Sequence, residues 1–191
     1  MAHSNSYNEQ DKQTLLKLAH QSIGFGFEHN APPLISLEQL PPHYTHDGCS
    51  FVTLKINQQL RGCIGSLKPH QALIQDIATH AFNAAFKDTR FSPLTQQEFA
   101  LIKAHISVIN PAEDLTIANE QQLLTTLQPH VDGLILQDQQ YHSTFLPSVW
   151  EQISDPSAFL QQLKLKAGLP ADHWSDTIRF QRYTVTSWGE E

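Results

Sequence analysis

The chain has 191 residues, of which 40% are hydrophobic and 16% are charged, a composition typical of a globular protein with its own core. Its formal net charge of −7 and the absence of a basic stripe argue against direct binding of nucleic acid. No apolar run is long enough to span a bilayer and residues 1–10 lack a signal peptide's apolar stretch, so we expect a cytoplasmic protein with reduced thiols at Cys49 and Cys63.

The first half of the chain predicts a helix, a hairpin and a second helix. A capping box, Ser6-x-x-Glu9, precedes the first apolar stretch with helical spacing. The Pro-rich segment 32–42 then reads as an irregular connection. The predicted elements are a helix over residues 8–27, strands over 50–55 and 60–67 around a turn at 57–59, and a helix over 70–86.

The second half predicts a shorter helix–strand–hairpin series. A second capping box, Thr95-x-x-Glu98, follows the turn at residues 88–93. The later elements are a strand over residues 104–109, a helix over 119–127, a hairpin over 134–137 and 141–145, helices ending at Gly168, and a final strand over 178–188.

The two hairpins resemble each other, and the charges are unevenly placed between the halves. Each hairpin starts Asp-Gly, turns on Asx-Gln-Gln and runs from its second strand into helix, which indicates a duplicated β-β-α unit. Residues 104–163 contain no Lys or Arg but several acids. We therefore predict an α+β fold of mainly antiparallel sheet with flanking helices. It forms a two-lobed single domain over 1–191, with an ordered core over about 8–188 and an acidic second lobe over 104–163.

The octet Leu60-Arg61-Gly62-Cys63-Ile64-Gly65-Ser66-Leu67 resembles the signature of the AMMECR domain family. Six further pieces agree in order and spacing: Phe51-Val52-Thr53-Leu54, Asp88-Thr89-Arg90-Phe91, Ile106-Ser107-Val108, Gly133-Leu134-Ile135-Leu136, Thr144-Phe145-Leu146-Pro147 and Lys166-Ala167-Gly168-Leu169. The resemblance runs from about Leu15 to Trp188. Thr89 stands where the family usually has proline, and residues 148–150 also depart from its pattern.

The resemblance implies a compact α+β fold of two lobes in an intracellular protein of unsettled activity. The bacterial relatives that it resembles are the protein A type of the AmmeMemoRadiSam system. They are often encoded beside a Memo-like protein, which is related to extradiol dioxygenases, and a radical S-adenosylmethionine protein. The resemblance therefore implies these two proteins as pathway partners, without fixing a reaction step, and no cofactor is predicted for this chain.

Cys63 is the candidate nucleophile or redox thiol. On a strand it shares a face with Arg61, while Leu60 and Ile64 point to the other face. A neighbouring guanidinium would stabilise the thiolate, which is the reactive form of cysteine. The alternative is a buried packing cysteine, with Arg61 paired to an acid such as Asp88.

Arg61 and Arg90 are candidates to hold a carboxylate or phosphate, because guanidinium groups bind such anions with two parallel hydrogen bonds. The alternative is an internal ion pair with Asp88 that fixes the turn at residues 88–91. Asp88 is accordingly a candidate ligand-site residue and also a candidate structural one.

Three further residues complete the predicted ligand site. Gly62 and Gly65 flank the thiol and would admit a ligand or another backbone close to it. Thr144 follows Ser143 at a strand end, where its hydroxyl would contact a ligand or cap the next helix.

A metal site has a weaker basis. His43-x-x-His46-x-x-Cys49 has ligand residue types at close spacing, but no second pair follows as in structural zinc sites. Solvated histidines in a Pro-rich loop are the alternative.

Two classes of function fit these observations, and the sequence leaves open whether the protein is an enzyme. The first is a small-ligand-binding or enzymatic cleft around the Arg61-Gly62-Cys63 strand end. The second is a non-catalytic protein-binding module or scaffold in which Cys63 is a buried packing residue.

Overall fold

The structure is a computed structural model, and it describes residues 7–191. The chain divides into two compact units: the first comprises the described residues up to Ile109 together with Thr186–Glu191, and the second is Asn110–Val185. Each unit contains one four-stranded sheet with antiparallel pairings and its own helices, which confirms the predicted α+β class. That residues 1–191 act as one domain, with an ordered core over 8–188, stays a prediction.

The first unit begins with a long helix whose cap differs from the predicted one. Asn8 accepts the Asp11 N–H at 2.9 Å and Asp11 accepts the Asn8 N–H at 3.1 Å, so these two residues form the capping box; Ser6 lies outside the described residues. The elements of this unit are α1 (Glu9–His29), α2 (Pro42–Thr45), β1 (Cys49–Ile56), β2 (Gln59–Gly65), α3 (Leu73–Phe86), α4 (Gln96–Phe99), β3 (Lys103–Ile109) and β8 (Val185–Gly189).

The sheet of the first unit has the strand order β2-β1-β3-β8 and buries one face. Val52, Leu54, Ala104 and Ile106 alternate along β1 and β3 with partly exposed residues, and all four are fully buried. They belong to the same core cluster as residues of α1 and α3. The other face carries the half-buried side chains, and the candidate site lies there.

A register shift in the first hairpin overturns one prediction about Leu60. Thr53 pairs with Cys63 and Leu54 with Gly62, but Lys55 then pairs with Leu60, so the register skips Arg61. Paired residues of antiparallel strands share a face. Leu60 therefore lies on the Cys63 face, where it is 44% exposed, and not beside Ile64; the extra residue of a bulge reverses the alternation.

The second unit has the strand order β4-β7-β5-β6. Its core is centred on Trp150, whose ring stacks on Phe159 with centroids 3.7 Å apart. Lys164 is also fully buried, and its Nζ lies 2.7 Å from Glu120 Oε2. The elements are β4 (Glu113–Leu115), α5 (Glu120–Thr126), β5 (Gly133–Asp138), β6 (Tyr141–Phe145), a 3₁₀ helix (Pro147–Glu151), α6 (Pro156–Lys166) and β7 (Arg179–Tyr183).

The strand expected over residues 178–188 is two strands. β7 ends at Tyr183 and β8 begins at Val185, and the two lie in different sheets. The short strand β4 was not predicted. Within residues 7–191, no helix combines the length and the hydropathy needed to cross a bilayer.

The two units share a topology that supports the predicted duplication. β1, β2 and β3 of the first sheet correspond in position and pairing to β5, β6 and β7 of the second. Counting back from the hairpin turns and allowing for the bulge, Cys63 corresponds to Thr144 and Gly62 to Ser143. Gly62 lies against the Ala84 carbonyl of α3, and the Ser143 hydroxyl donates to the Leu163 carbonyl of α6. Equivalent strand positions thus meet a backbone carbonyl of the helix that follows.

Candidate functional site

The backbone of Cys63 is fixed from the outer side of an edge strand. Its N–H donates to Asp88 Oδ2 at 2.8 Å, and its carbonyl accepts from Arg90 Nη2 at 3.1 Å. Among residues 7–191, β2 is an edge strand that pairs with β1 alone, so these outward groups are the ones that a further strand would otherwise bind. The Asp88–Arg90 pair thereby closes the edge at the cysteine.

Asp88 and Arg90 form a close ion pair. The guanidinium donates to both carboxylate oxygens, at 2.9 Å and 2.7 Å, and the Arg90 N–H adds a bond of 3.1 Å. The Arg90 side chain, followed by the Cys63 N–H, holds the pKa of the buried Asp88 carboxyl well below its ordinary value. Asp88 is therefore a charged acceptor that ties the turn at residues 88–91 to β2.

Arg61 pairs with Glu98, and not with Asp88, the acid that the alternative interpretation named. Its Nε and Nη2 bond to the two Glu98 oxygens at 2.8 Å and 3.0 Å, and Nη2 also bonds to the Ser92 carbonyl at 3.0 Å. The guanidinium lowers the pKa of Glu98 to about 2. Both candidate anion-binding arginines are thus neutralised by carboxylates, and their guanidinium carbons lie 5.8 Å and 5.6 Å from the centre of the Phe91 ring.

The two glycines of the motif make room for the protein itself. A Cβ at Gly62 would fall on the Ala84 carbonyl oxygen, and one at Gly65 would fall on the Phe51 ring and the Ser50 carbonyl. The close approach predicted at these positions is therefore made by backbone and by an aromatic ring of the same unit.

The thiol of Cys63 lies in a cross-strand row of polar side chains. Thr53 is directly opposite, and its hydroxyl donates to Cys63 Sγ at 3.2 Å. His105 is directly opposite Thr53 on β3. Burial, followed by the Lys55 charge, lowers the pKa of His105, which favours the neutral imidazole.

His105 was not singled out from the sequence, although a signal was present. The alternation over residues 104–109 already placed His105 and Ser107 on the polar face of a strand. What the sequence lacks is the register that aligns β3 with β1 and so sets His105 in the row of Cys63.

Cys49 differs from Cys63 in its surroundings. It is buried, and burial together with the nearby Asp76 charge raises the pKa of its thiol to about 11. Cys63 is partly exposed, and both cysteines are free thiols. Cys49 thus serves as an internal reference for an unreactive cysteine.

Asp76 is the centre of a buried polar cluster on the core side of β1. Its Oδ2 accepts from the Ser50 N–H at 2.8 Å and from the Ser50 hydroxyl at 2.6 Å, and lies 3.1 Å from His80 Nδ1. The serine therefore donates to the carboxylate and not to the imidazole, which is not the order of a nucleophilic triad. The cluster joins the start of β1 to α3.

The histidines of the proposed metal site point to other partners. His43 Nε2 lies 3.0 Å from Asp11 Oδ1, His46 Nδ1 lies 3.3 Å from the Pro42 carbonyl, and Cys49 is buried. Residues 7–191 contain no group of three or more His, Cys, Asp or Glu side chains arranged to hold a metal ion. Each of the three candidates thus has another partner or is buried.

Thr144 belongs to the second unit. Its hydroxyl lies 3.1 Å from the Tyr183 hydroxyl, and its carbonyl accepts from Lys166 Nζ at 2.9 Å. The 3₁₀ helix that follows has no side-chain cap, so the predicted capping role is not observed. Six of the seven predicted ligand-site residues lie in the first unit, on β2 or on the turn bound to it: Arg61, Gly62, Cys63, Gly65, Asp88 and Arg90.

Comparison with known proteins gives consistent matches along the chain. A family model described as AMMECR1 matches residues 16–188. Protein MJ0810 of Methanocaldococcus jannaschii is 33% identical over 160 residues, which are 82% of this chain and 80% of that protein. Protein NEQ441 of Nanoarchaeum equitans is 36% identical over 164 residues, which are 85% of this chain and 90% of that protein.

A solved structure agrees with the fold. The crystal structure of the uncharacterized protein PH0010 from Pyrococcus horikoshii has a TM-score of 0.75 and 28% sequence identity, and the match covers 93% of this chain and 90% of that one. The fold, the family model and the relatives above 30% identity all agree, and the chain belongs to the AMMECR1 family.

Proposed function

We propose that the protein binds a small ligand on the Cys63 face of its first sheet, and that the Cys63 thiol contacts this ligand as a nucleophile or redox group. The observation that carries the proposal is the hydrogen bond from the Thr53 hydroxyl to Cys63 Sγ, on a partly exposed residue whose backbone is fixed by Asp88 and Arg90. A donor aimed at sulfur stabilises the thiolate form.

His105 is the base that this arrangement supports. It lies two strands from Cys63, about 10 Å at the usual strand spacing, which is too far for direct proton transfer. Thr53 lies between the two residues in the same cross-strand row, and the His105 ring packs against Gly189 of β8. A bound water would therefore carry a proton from the thiol to the imidazole, because the Thr53 hydroxyl already donates its proton to Cys63 Sγ.

A scaffold function is the second candidate, and two observations favour it. The spaces at Gly62 and Gly65 are filled by the chain itself, and Arg61 and Arg90 are both neutralised by carboxylates. Under this proposal the motif stabilises the first unit, and a different surface binds a partner protein. The resemblance supplies the partners to test, namely a Memo-like protein and a radical S-adenosylmethionine protein, in a cytoplasmic setting that suits two free cysteines.

Alkylation of native protein by iodoacetamide separates the two proposals, with the modified cysteine identified by mass spectrometry. We expect Cys63 to react at neutral pH while Cys49 stays unmodified. Thr53→Val removes the donor with little change in shape and should slow the reaction of Cys63 about tenfold, since hydrogen bonds to charged groups contribute ~1.5–3 kcal/mol. Ser107→Ala, on the same face and strand as His105, is the control, and in this variant Cys63 should react at the wild-type rate.

Two results would contradict a functional thiol. One is a Cys63 that reacts only after unfolding, which makes it a packing residue and favours the scaffold. The other is equal reaction rates in wild type and Thr53→Val. Co-purification with the two suggested partners tests the scaffold directly, and Cys63→Ser should leave that binding unchanged.

A further inference from the structure

Two lysines face each other beside the Cys63 row. Lys55 on β1 and Lys103 on β3 are directly paired in the register, and both lie on the sheet face that carries Thr53 and His105. Directly opposed side chains have Cβ atoms about 5 Å apart. Lys55 is two residues from Thr53, and Lys103 is two residues from His105, so the lysine pair adjoins the Cys63 row at a spacing of about 7 Å.

This pair is unfavourable as it stands. Like charges directly opposite each other on neighbouring strands destabilise a sheet. In the part of the chain that the structure describes, neither lysine has a carboxylate within salt-bridge distance or a hydrogen-bond partner for its ammonium group. Arg61 and Arg90, by contrast, are each paired with an acid.

Glu190 is an acid that interacts electrostatically with residues of this face, but its carboxylate is hydrogen-bonded to other groups. Its Oε2 accepts from the Ala104 N–H at 2.6 Å and lies 2.9 Å from His20 Nε2. It also acts on Lys103 and His105 at longer range. The two ammonium groups therefore remain without a close counter-charge in a protein of net charge −7.

We propose that Lys55 and Lys103 form a binding site for the anionic group of a small molecule, a phosphate or a carboxylate. A dianion bound between the two ammonium groups would attract both of them and offset their mutual repulsion. Thr53 and His105 are next to the lysine pair on the same face, and the neutral His105 imidazole has one N–H that can donate to the anion. The remainder of a ligand held there extends along the sheet to the Cys63 thiol.

This inference rests on the proposed function, because it names the substrate class for the same sheet face. It also changes which cations are assigned to the anion. The sequence pointed to Arg61 and Arg90, whereas Lys55 and Lys103 are the cations on the thiol's face that have no carboxylate at salt-bridge distance among the described residues.

The first test is a titration of the full chain, followed by amide and His side-chain NMR signals. Inorganic phosphate and succinate are the two probes, and sodium chloride at equal ionic strength is the reference. We expect saturable shifts at Thr53, Lys103 and His105. Lys55→Gln and Lys103→Gln should each weaken binding about threefold to fivefold, the range expected for one exposed charge interaction. Tighter phosphate binding indicates a phosphorylated ligand, and tighter succinate binding a dicarboxylate.

The matched control is the double variant Lys17→Gln/Lys68→Gln. Both lysines are exposed, and the variant has the same net charge as Lys55→Gln/Lys103→Gln. The control should bind phosphate like wild type, whereas the face variant should lose about tenfold or more in affinity. Equal losses of phosphate affinity in the two double variants would show that only net charge matters, and would overturn the proposed site. NMR shifts with phosphate that do not exceed those with sodium chloride would also overturn it.

Thermal stability provides a second test, because the variants that weaken anion binding should be more stable than wild type when no anion is present. In low salt without phosphate, Lys55→Gln or Lys103→Gln should raise Tm, because the repulsion is relieved. Added phosphate should then raise the Tm of wild type by more than that of either variant. A lowered Tm in both variants would show that the lysines stabilise the fold, and would overturn the proposal.

Failure of this inference and failure of the proposed function are distinguishable. Iodoacetamide is neutral, so its reaction with Cys63 does not depend on anion binding by the lysines. The titrations, in turn, measure anion binding independently of the reactivity of the thiol. A reactive Cys63 with no anion binding overturns only the lysine site. Anion binding beside an unreactive Cys63 confirms the lysine site and removes the thiol's chemical role.

Discussion

Asp88 accepts the outward N–H of Cys63 at 2.8 Å, so a side chain from the turn after α3 fixes the backbone of the residue that carries the thiol. The same carboxylate is held by Arg90, whose guanidinium also binds the Cys63 carbonyl. The edge of the sheet and the turn are thereby one hydrogen-bonded structure.

Asp88→Asn should destabilise the first unit. The amide removes the negative charge to which Arg90 and the Cys63 N–H donate, and it has only one acceptor oxygen. We therefore expect the free energy of unfolding to fall by about 2–3 kcal/mol. Urea unfolding measures it. Asp172→Asn, at an exposed aspartate, should change stability by less than about 0.5 kcal/mol; an equally small effect at Asp88 would contradict the structural role of the pair.

The Arg61–Glu98 pair predicts a specific loss of stability in acid. The pKa of Glu98 is about 2 in the folded protein, below its ordinary 4.5, because of Arg61. Its stabilising contribution is therefore complete above about pH 5 and is lost as the pH falls from 4.5 towards 2. Wild type should lose more stability than Glu98→Gln between pH 6 and pH 3 in urea unfolding, whereas Glu28→Gln, at an exposed position, should follow wild type.

Substitution of two glycines by alanine should have opposite signs. At Gly62 a methyl group meets the Ala84 carbonyl oxygen of α3, so Gly62→Ala should cost about 1–3 kcal/mol. At Gly24, inside α1, the nearest atom is 3.8 Å from the added carbon, and Gly24→Ala should stabilise by about 0.5–1 kcal/mol. Thermal unfolding of both variants measures the difference, and a loss at Gly24 would contradict the space seen there.

Lys164 tests the packing of the second unit. Its side chain is fully buried, with the ammonium group 2.7 Å from Glu120 and 5.8 Å from the centre of the Trp174 ring. Lys164→Ala leaves a cavity and should cost about 2–4 kcal/mol. Lys164→Met keeps the alkyl volume, and Glu120 can reach water, so this change should cost less than about 1.5 kcal/mol. Equal losses would mean that the charge pair, and not the packing, stabilises this position.

Local patterns were sufficient for most of the elements and for one cap, but not for α2, β4 or the division between β7 and β8. Thr95 and Glu98 form the predicted capping box, and both hairpins lie where the alternating runs placed them. The first hairpin turns on Asn57 and Gln58, both with positive φ. These features depend on neighbouring residues, which the sequence shows directly.

Long-range pairing decided what the sequence could not show. Glu98 is 37 residues from Arg61, and no local pattern favours it over Asp88. The bulge that moves Leu60 to the Cys63 face depends on how β1 meets β2. The alignment of His105 with Thr53 depends on a strand about fifty residues away. Partner choice and register are properties of the assembled sheet.

The separation of β7 and β8 by the single residue Thr184 has a consequence for synthesis on the ribosome. All four strands of the second sheet lie between Glu113 and Tyr183, whereas the first sheet takes three strands from before Ile109 and its last from residues after Thr184. The second sheet therefore has its full set of strands while the first still waits for β8. The unit that starts the chain is the last to be completed, and until then the outer edge of β3 has no partner strand in its sheet.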